Sequence, residues 1–216
     1  MPSACCCPPG LKPGTSSGLD SIFSEFILHF WTALKSWFCD FVTSCMRQLK
    51  IPKIRRRALI AEIPKPEKPL GDQKSSRPIS LLCVPFKIFE RLIYARVELI
   101  IDPLLPQKQV GFRHGRSTVD LVTLPTQDIE DSFSARRSSG AVFADLTAAY
   151  DTIWHRGLTS KLLRLLPDRH MVRMIMEIVR HRSFTLTTGN GKRSRLRHLK
   201  NGVLQGSVLG PLLFNS

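Results

Sequence analysis

Acidic residues are in short supply: 17 Asp and Glu stand against 32 Lys and Arg in 216 residues, a formal net charge of +15. Such an excess in a chain of ordinary hydrophobic content suits a polyanion, because each neutralised phosphate releases counterions. A generically basic protein kept soluble by its charge is the plainer reading. An anionic membrane surface would call for a basic amphipathic helix, whereas the basic residues here are spread along the chain. Paired cysteine spacing is missing too. Cys5, Cys6 and Cys7 are adjacent and Cys39, Cys45 and Cys83 are scattered among apolar residues, which fits neither a zinc knuckle nor a disulfide framework. These residues are expected to be reduced thiols in a cytosolic or nuclear protein. The start, "MPSACCCPPGLKPG", has neither the basic opening nor the apolar core of a secretion signal. The apolar segment 22–46 is interrupted by Glu25, Lys35 and Asp40, so it does not read as a membrane span. No internal repeat is present. The length is enough for one or two domains with a real core.

Periodicity predicts the elements. Residues 1–18, rich in Pro, Gly, Ser and Cys, form an irregular lead-in. From Ser21 the apolar positions Ile22, Phe23, Phe26, Ile27, Phe30, Leu34, Trp37, Phe38 and Phe41 recur at helical spacing and predict one long helix with a heavily buried face. A short strand, "ALIAEI", follows, then an extended basic loop punctuated by Pro64, Pro66 and Pro69. Phe86, Phe89, Leu92, Ile93, Val97 and Ile100 mark a second amphipathic helix stopped by Pro103. Ser117 or Thr118 can cap a third, which Pro125 should kink or break. Further helices are expected near residues 158–165 and after Asp168, the latter with Met171, Val172, Ile175, Met176 and Val179 on its apolar face. A hairpin turned at 189–191 and a turn entering a helix in "LQGSVLGPLLFNS" complete the chain.

In "AVFADLTAAYDTIWH" a single carboxylate, Asp145, closes an apolar run. Val142, Phe143 and Leu146 predict a short buried strand, and a charge at its end is costly unless a counter-charge or a metal meets it. A strand-end turn residue is the bland alternative.

Four segments, "IPKPEKPLGDQKSSRPISLLCVPFKIFERLIYAR", "LLPQKQVGFRHGRSTVD", "VFADLTAAYDTIWHRGL" and "NGVLQGSVLGPLLFN", occur in an order and spacing that resemble the reverse transcriptases of non-LTR, LINE-type (jockey-like) retrotransposons. The resemblance implies an α+β fold, the fingers and first half of the palm of a right-hand polymerase, helix-rich with a small antiparallel sheet. It divides the chain into the lead-in (1–18), an N-terminal helical segment (19–50), a fingers-like region (51–138) and a partial palm (139–216). The implied activity is RNA-directed DNA polymerisation with two Mg²⁺ ions, a template RNA, a primer DNA and deoxynucleoside triphosphates as partners. Asp145 then matches the palm carboxylate that holds both ions, assisted by the Leu146 carbonyl. Arg77 matches the fingers arginine that reaches the triphosphate, and Tyr150 the aromatic residue under the incoming sugar; without the resemblance these read as a solvated arginine and a packing ring. Gln205 and Gly206 correspond to the turn that receives the nucleotide. Arg113 and Arg116 resemble a basic turn near the template, and Lys192, Arg193, Arg195, Arg197 and Lys200 form a charge run suited to phosphates or simply to solvent.

Asp151 reads better as a helix-start cap than as a metal ligand. The chain departs from the family pattern at Leu204, where Pro is usual, at Ser76, where an aromatic is usual, and at Arg56, where Trp is usual. The family's second metal-binding carboxylates follow the segment at which this chain stops, so the chain is expected to be inactive alone. A basic RNA- or DNA-binding remnant of a mobile element, without catalysis, is the alternative.

Overall fold

The computed structural model describes Pro8, Pro66 and residues 10–64, 76–146, 148–187 and 192–216. Seven α-helices and one four-stranded sheet are found among them. The adjacent Cys5, Cys6 and Cys7, most of the loop after Pro64 and the 189–191 turn lie outside the described residues.

The aromatic N-terminal stripe folds as two helices, α1 (Ser24–His29) and α2 (Trp31–Gln48), separated by the non-helical Phe30. Ile27, Trp31, Phe38 and Cys45 are buried. Phe23, Phe26 and Trp37 remain about half exposed, so the single, heavily buried helix expected from periodicity is corrected on both counts. Helix α3 (Val84–Ile101) is the centre of the core, with nine buried residues including Phe86, Phe89, Ile93 and Val97. Each such side chain contributes roughly 1.5–3 kcal/mol through burial. Pro85 in its first turn fits a position where no helical N–H is needed, and the helix gives way to a 3-10 turn at Asp102–Leu104.

Strands β1 (Arg57–Pro64) and β2 (Ser76–Leu81) pair antiparallel, with Ile60 opposite Ser80 and Ile63 opposite Arg77. β1 also pairs in parallel with β3 (Ser183–Thr187), which pairs antiparallel with the short β4 (Arg197–His198). The order is β2-β1-β3-β4. The α+β class holds, and the sheet is mixed where an antiparallel one was expected. β2 falls within the stretch expected as an extended basic loop, and its Pro78 is tolerated because β2 is an edge strand.

Helix α4 (Thr118–Ser134) is closed at its start by a capping box between Ser117 and Asp120, and none of its residues is buried. It runs through Pro125 without the expected break. The Leu121 carbonyl released by the missing N–H lies on an exposed helix where water can satisfy it. Helix α5 (His155–Leu165) starts at Trp154, so Asp151 is not its cap. Asp168 does cap α6 (Arg169–Val179), accepting the His170 and Met171 N–H groups at 2.8 and 3.3 Å. The chain closes with α7 (Gly210–Asn215). No helix of the described residues is long and apolar enough to cross a membrane.

The expected buried strand at Asp145 is absent. Residues 141–146 are irregular and exposed, Val142 at 97% and Phe143 at 92%. A strand needs a neighbour to satisfy its backbone, and no described strand runs beside this one.

Candidate active site

The turn at residues 203–207 is locked from three sides. The Ser80 N–H of β2 donates to the Gln205 carbonyl at 2.9 Å, and the Val203 N–H donates to the Tyr150 carbonyl at 2.8 Å. From below, the fully buried Glu90 of α3 accepts the Ser207 hydroxyl at 2.8 Å and the Val208 N–H at 2.9 Å. The same carboxylate is paired with the buried Arg182 at 2.5 Å. Arg182 also donates to the Ile178 carbonyl at 2.6 Å and lies 4.9 Å over the Phe86 ring. Gly206 holds φ +109°, and a Cβ on it would come 2.8 Å from the Ser80 carbonyl oxygen. Glycine is therefore required by both backbone and space. Leu204 is buried in the core, and its carbonyl accepts the Ser207 N–H at 3.0 Å, closing the turn without the proline usual in the family.

Tyr150 sits beside this turn, its ring 5.6 Å from Phe214 and 6.5 Å edge-on to Phe112. Burial pushes its hydroxyl above the usual tyrosine pKa. Gly202 lies just below, at φ +81°, where a Cβ would meet the Tyr150 carbonyl at 2.7 Å. The Gly202 carbonyl itself faces the buried His155 Nε2 at 2.7 Å. Thus Tyr150, Gln205 and Gly206 are brought together, with the latter two exposed. Arg77 is exposed on β2 three residues before Ser80, about 10 Å along the strand.

Asp145 and Leu146 are not joined to this cluster by any hydrogen bond or ion pair among the described residues. Nor do the described residues contain a group of three His, Cys, Asp or Glu side chains able to hold a metal ion. Arg113 is committed to its own loop: it grips both Asp102 carboxylate oxygens at 2.8 and 3.0 Å and donates to the Asp102, Pro106 and Gln109 carbonyls. Its guanidinium holds the Asp102 carboxyl below its usual pKa. Arg116 is exposed, as are Lys192, Arg193, Arg195, Arg197 and Lys200 around the β3–β4 hairpin.

Sequence reasoning missed Ser80, Glu90 and Arg182. Glu90 carried a usable signal: it stands four residues after Phe86, three before Ile93 and seven before Val97, a lone carboxylate on an apolar helix face.

The molecule is thus an α+β unit that presents a glycine-bearing turn beside an aromatic ring. A family model for "Reverse transcriptase (RNA-dependent DNA polymerase)" matches residues 63–216. The "Probable RNA-directed DNA polymerase from transposon BS" of Drosophila melanogaster is 35% identical over 202 residues, covering 93% of this chain and 22% of that protein. The RNA-directed DNA polymerase from mobile element jockey of Drosophila funebris is 31% identical over 207 residues, 95% of this chain and 22% of that protein. A probable RNA-directed DNA polymerase from transposon X-element of Drosophila melanogaster is 35% identical over 158 residues, 72% of this chain and 17% of that protein. The chain belongs to the reverse transcriptase family, in its non-LTR, LINE-type branch. It spans about a fifth of the length of these relatives.

Proposed function

We propose that the chain supplies the nucleotide-receiving surface of an RNA-directed DNA polymerase that copies retrotransposon RNA into DNA. The locked 203–207 turn beside Tyr150 carries this reading. Gly206 leaves the backbone open to close approach by a nucleotide, and the Gln205 side chain is exposed next to it. Tyr150 would bar a ribose 2′-hydroxyl by its bulk, and Arg77 would grip the triphosphate with its planar fork. Arg116 and the cations at positions 192, 193, 195, 197 and 200 would contact template and primer phosphates. Arg113, with its donors already taken by Asp102 and neighbouring carbonyls, serves better as a brace for that loop.

The family implies Mg²⁺, which takes about six oxygen ligands in octahedral geometry. Asp145 and the Leu146 carbonyl lie on an exposed irregular segment and belong to no group of three His, Cys, Asp or Glu side chains among the described residues, so by themselves they do not fit that ion. The +15 charge favours a second reading, in which the chain binds RNA or DNA without catalysing their synthesis.

Binding titrations separate the two. Under the polymerase reading the chain binds a deoxynucleoside triphosphate, and Arg77→Ala weakens that binding about tenfold or more, the loss of a charge-assisted contact of ~1.5–3 kcal/mol. RNA affinity should fall several-fold between low and physiological salt if ~4 or more phosphates are neutralised. Salt-sensitive RNA binding with no nucleotide binding would leave the second reading standing. RNA binding indifferent to salt would sink both.

A further inference from the structure

At the end of the sheet where β1 and β3 begin lies a cavity of about 870 Å³. The turn meets the sheet at β2, whereas the cavity is walled by the end of α2, the start of β1, and Ser183 and His198 of β3 and β4. Along β1 the cavity's Arg57 stands three residues, about 10 Å, from Ile60, the residue that pairs with Ser80 beside the turn. The volume falls within the ~300–1,000 Å³ range of ligand pockets.

Its lining combines two kinds of group. Phe41, Leu49 and Leu196 give an apolar floor, and Phe41 is stiffened by near-parallel stacking on Trp37 at 5.7 Å and 9°. Lys50, Lys53 and Arg57 give a cationic rim. The sequence run at residues 55–57 is divided by the fold: Arg55 pairs with Asp20, Arg56 pairs with Glu177 at 2.6 Å, and Arg57 has no ion-pair partner among the described residues. Lys50 and Lys53 have none either. Glu177 is the sole acid among the described lining residues, and Arg56 already neutralises it. The Arg56 Nε is buried with no hydrogen-bond partner among the described residues, a further donor left over in this wall. Three like charges around a concave apolar surface focus a positive potential that only an anion relieves.

We propose that this cavity holds an unstacked nucleotide of a single-stranded nucleic acid, with its base on the Phe41 floor and its flanking phosphates on Lys50, Lys53 and Arg57. The inference rests on the reading that the chain binds nucleic acid, and adds a second contact outside the nucleotide turn. A duplex keeps its bases stacked inside the helix, so the floor rewards single strands alone; stacking on an aromatic ring contributes roughly 1–3 kcal/mol per base and tolerates any sequence. RNA and DNA share the chemistry the cavity recognises.

The test is equilibrium binding of the 216-residue chain to a fluorescent single-stranded RNA, the matching single-stranded DNA, and the same sequence as a duplex. Lys50→Gln/Lys53→Gln/Arg57→Gln changes exposed residues, so the fold should be kept. It is expected to lose about tenfold or more in single-strand affinity, with the log–log salt slope reduced by about 2 if ~3 phosphate contacts go. Leu196→Asp, which puts an anion on the half-exposed floor, should weaken single-strand binding. Leu163→Asp, an equal charge change at an exposed position of α5 outside the cavity, should not. Duplex binding should change less in every variant. Unchanged affinity and slope in the triple variant would overturn the proposal while leaving the broader reading intact. So would an equal loss for duplex, or displacement of the single strand by polyglutamate. Failure of the unaltered chain to bind any of the three nucleic acids would overturn both.

Discussion

Replacing Glu90 with Gln should be among the most damaging conservative changes available to this chain. The Glu90 carboxylate is fully buried and satisfies three donors at once: the Arg182 guanidinium, the Ser207 hydroxyl and the Val208 N–H. Glutamine keeps the shape but removes the charge, and turns an amide N–H₂ toward groups that are themselves donors. Arg182, 2% exposed and already carrying a buried Nη1 without a hydrogen-bond partner among the described residues, would be left as an uncompensated cation. Breaking such a pair from one side costs roughly 3–5 kcal/mol. Whole domains are stable by only about 5–15 kcal/mol, so the variant would stand close to unfolding. For a chain of this size each kcal/mol lowers Tm by about 2–4 °C, which puts the expected drop between ~6 and ~20 °C.

Urea denaturation followed by far-UV circular dichroism measures it, with Arg182→Met and the double variant Glu90→Leu/Arg182→Met alongside. Removing both charges takes away the uncompensated ion, so the double variant should be clearly less damaged than the sum of the single ones. The 203–207 turn should loosen in Glu90→Gln as well, since two of the four hydrogen bonds that lock it end on this carboxylate. A loss below about 1 kcal/mol in Glu90→Gln, or a double variant as costly as that sum, would refute the reasoning, because a fully desolvated pair cannot be cheap to break from one side.

Gly206→Ala should destabilise by more than about 1 kcal/mol, since its φ of +109° and the 2.8 Å approach to a backbone oxygen leave a Cβ nowhere to go. The Ser80 amide, which hydrogen-bonds the Gln205 carbonyl, should then exchange with solvent faster; unchanged protection there would count against the tight turn. Asp102 gives a pH dependence. Arg113 lowers its folded-state pKa, so the pair's contribution is present above the ordinary carboxylate range near pH 4 and is lost as pH falls through the depressed value. In Arg113→Ala the Asp102 carboxyl should titrate at a higher pH by NMR, and an unmoved titration would mean that the clamp is not the cause.

The elements that could be read in the sequence are those whose reasons are local. "ALIAEI" became β1, and Asp168 caps α6 through bonds reaching only two and three residues ahead. The elements that could not be read depend on a partner. "SRPISL" contains a proline and reads as loop, yet it is a strand because β1 runs beside it. "AVFADL" reads as a strand and lies exposed, because no described strand pairs with it. An apolar run therefore records a tendency to be buried, and a neighbour decides whether that tendency is met. The same holds for the two lone carboxylates. A charge in an apolar run needs a counter-charge only when it is buried, and Asp145 stays exposed. The requirement applies to Glu90, whose partners stand 92, 117 and 118 residues further along the chain. Tyr150, Gln205 and Gly206 are single residues that the family resemblance picks out. Their being held in one place follows from contacts between residues 53 and 125 positions apart, Tyr150 with Val203 and Ser80 with Gln205, which no local window of sequence displays.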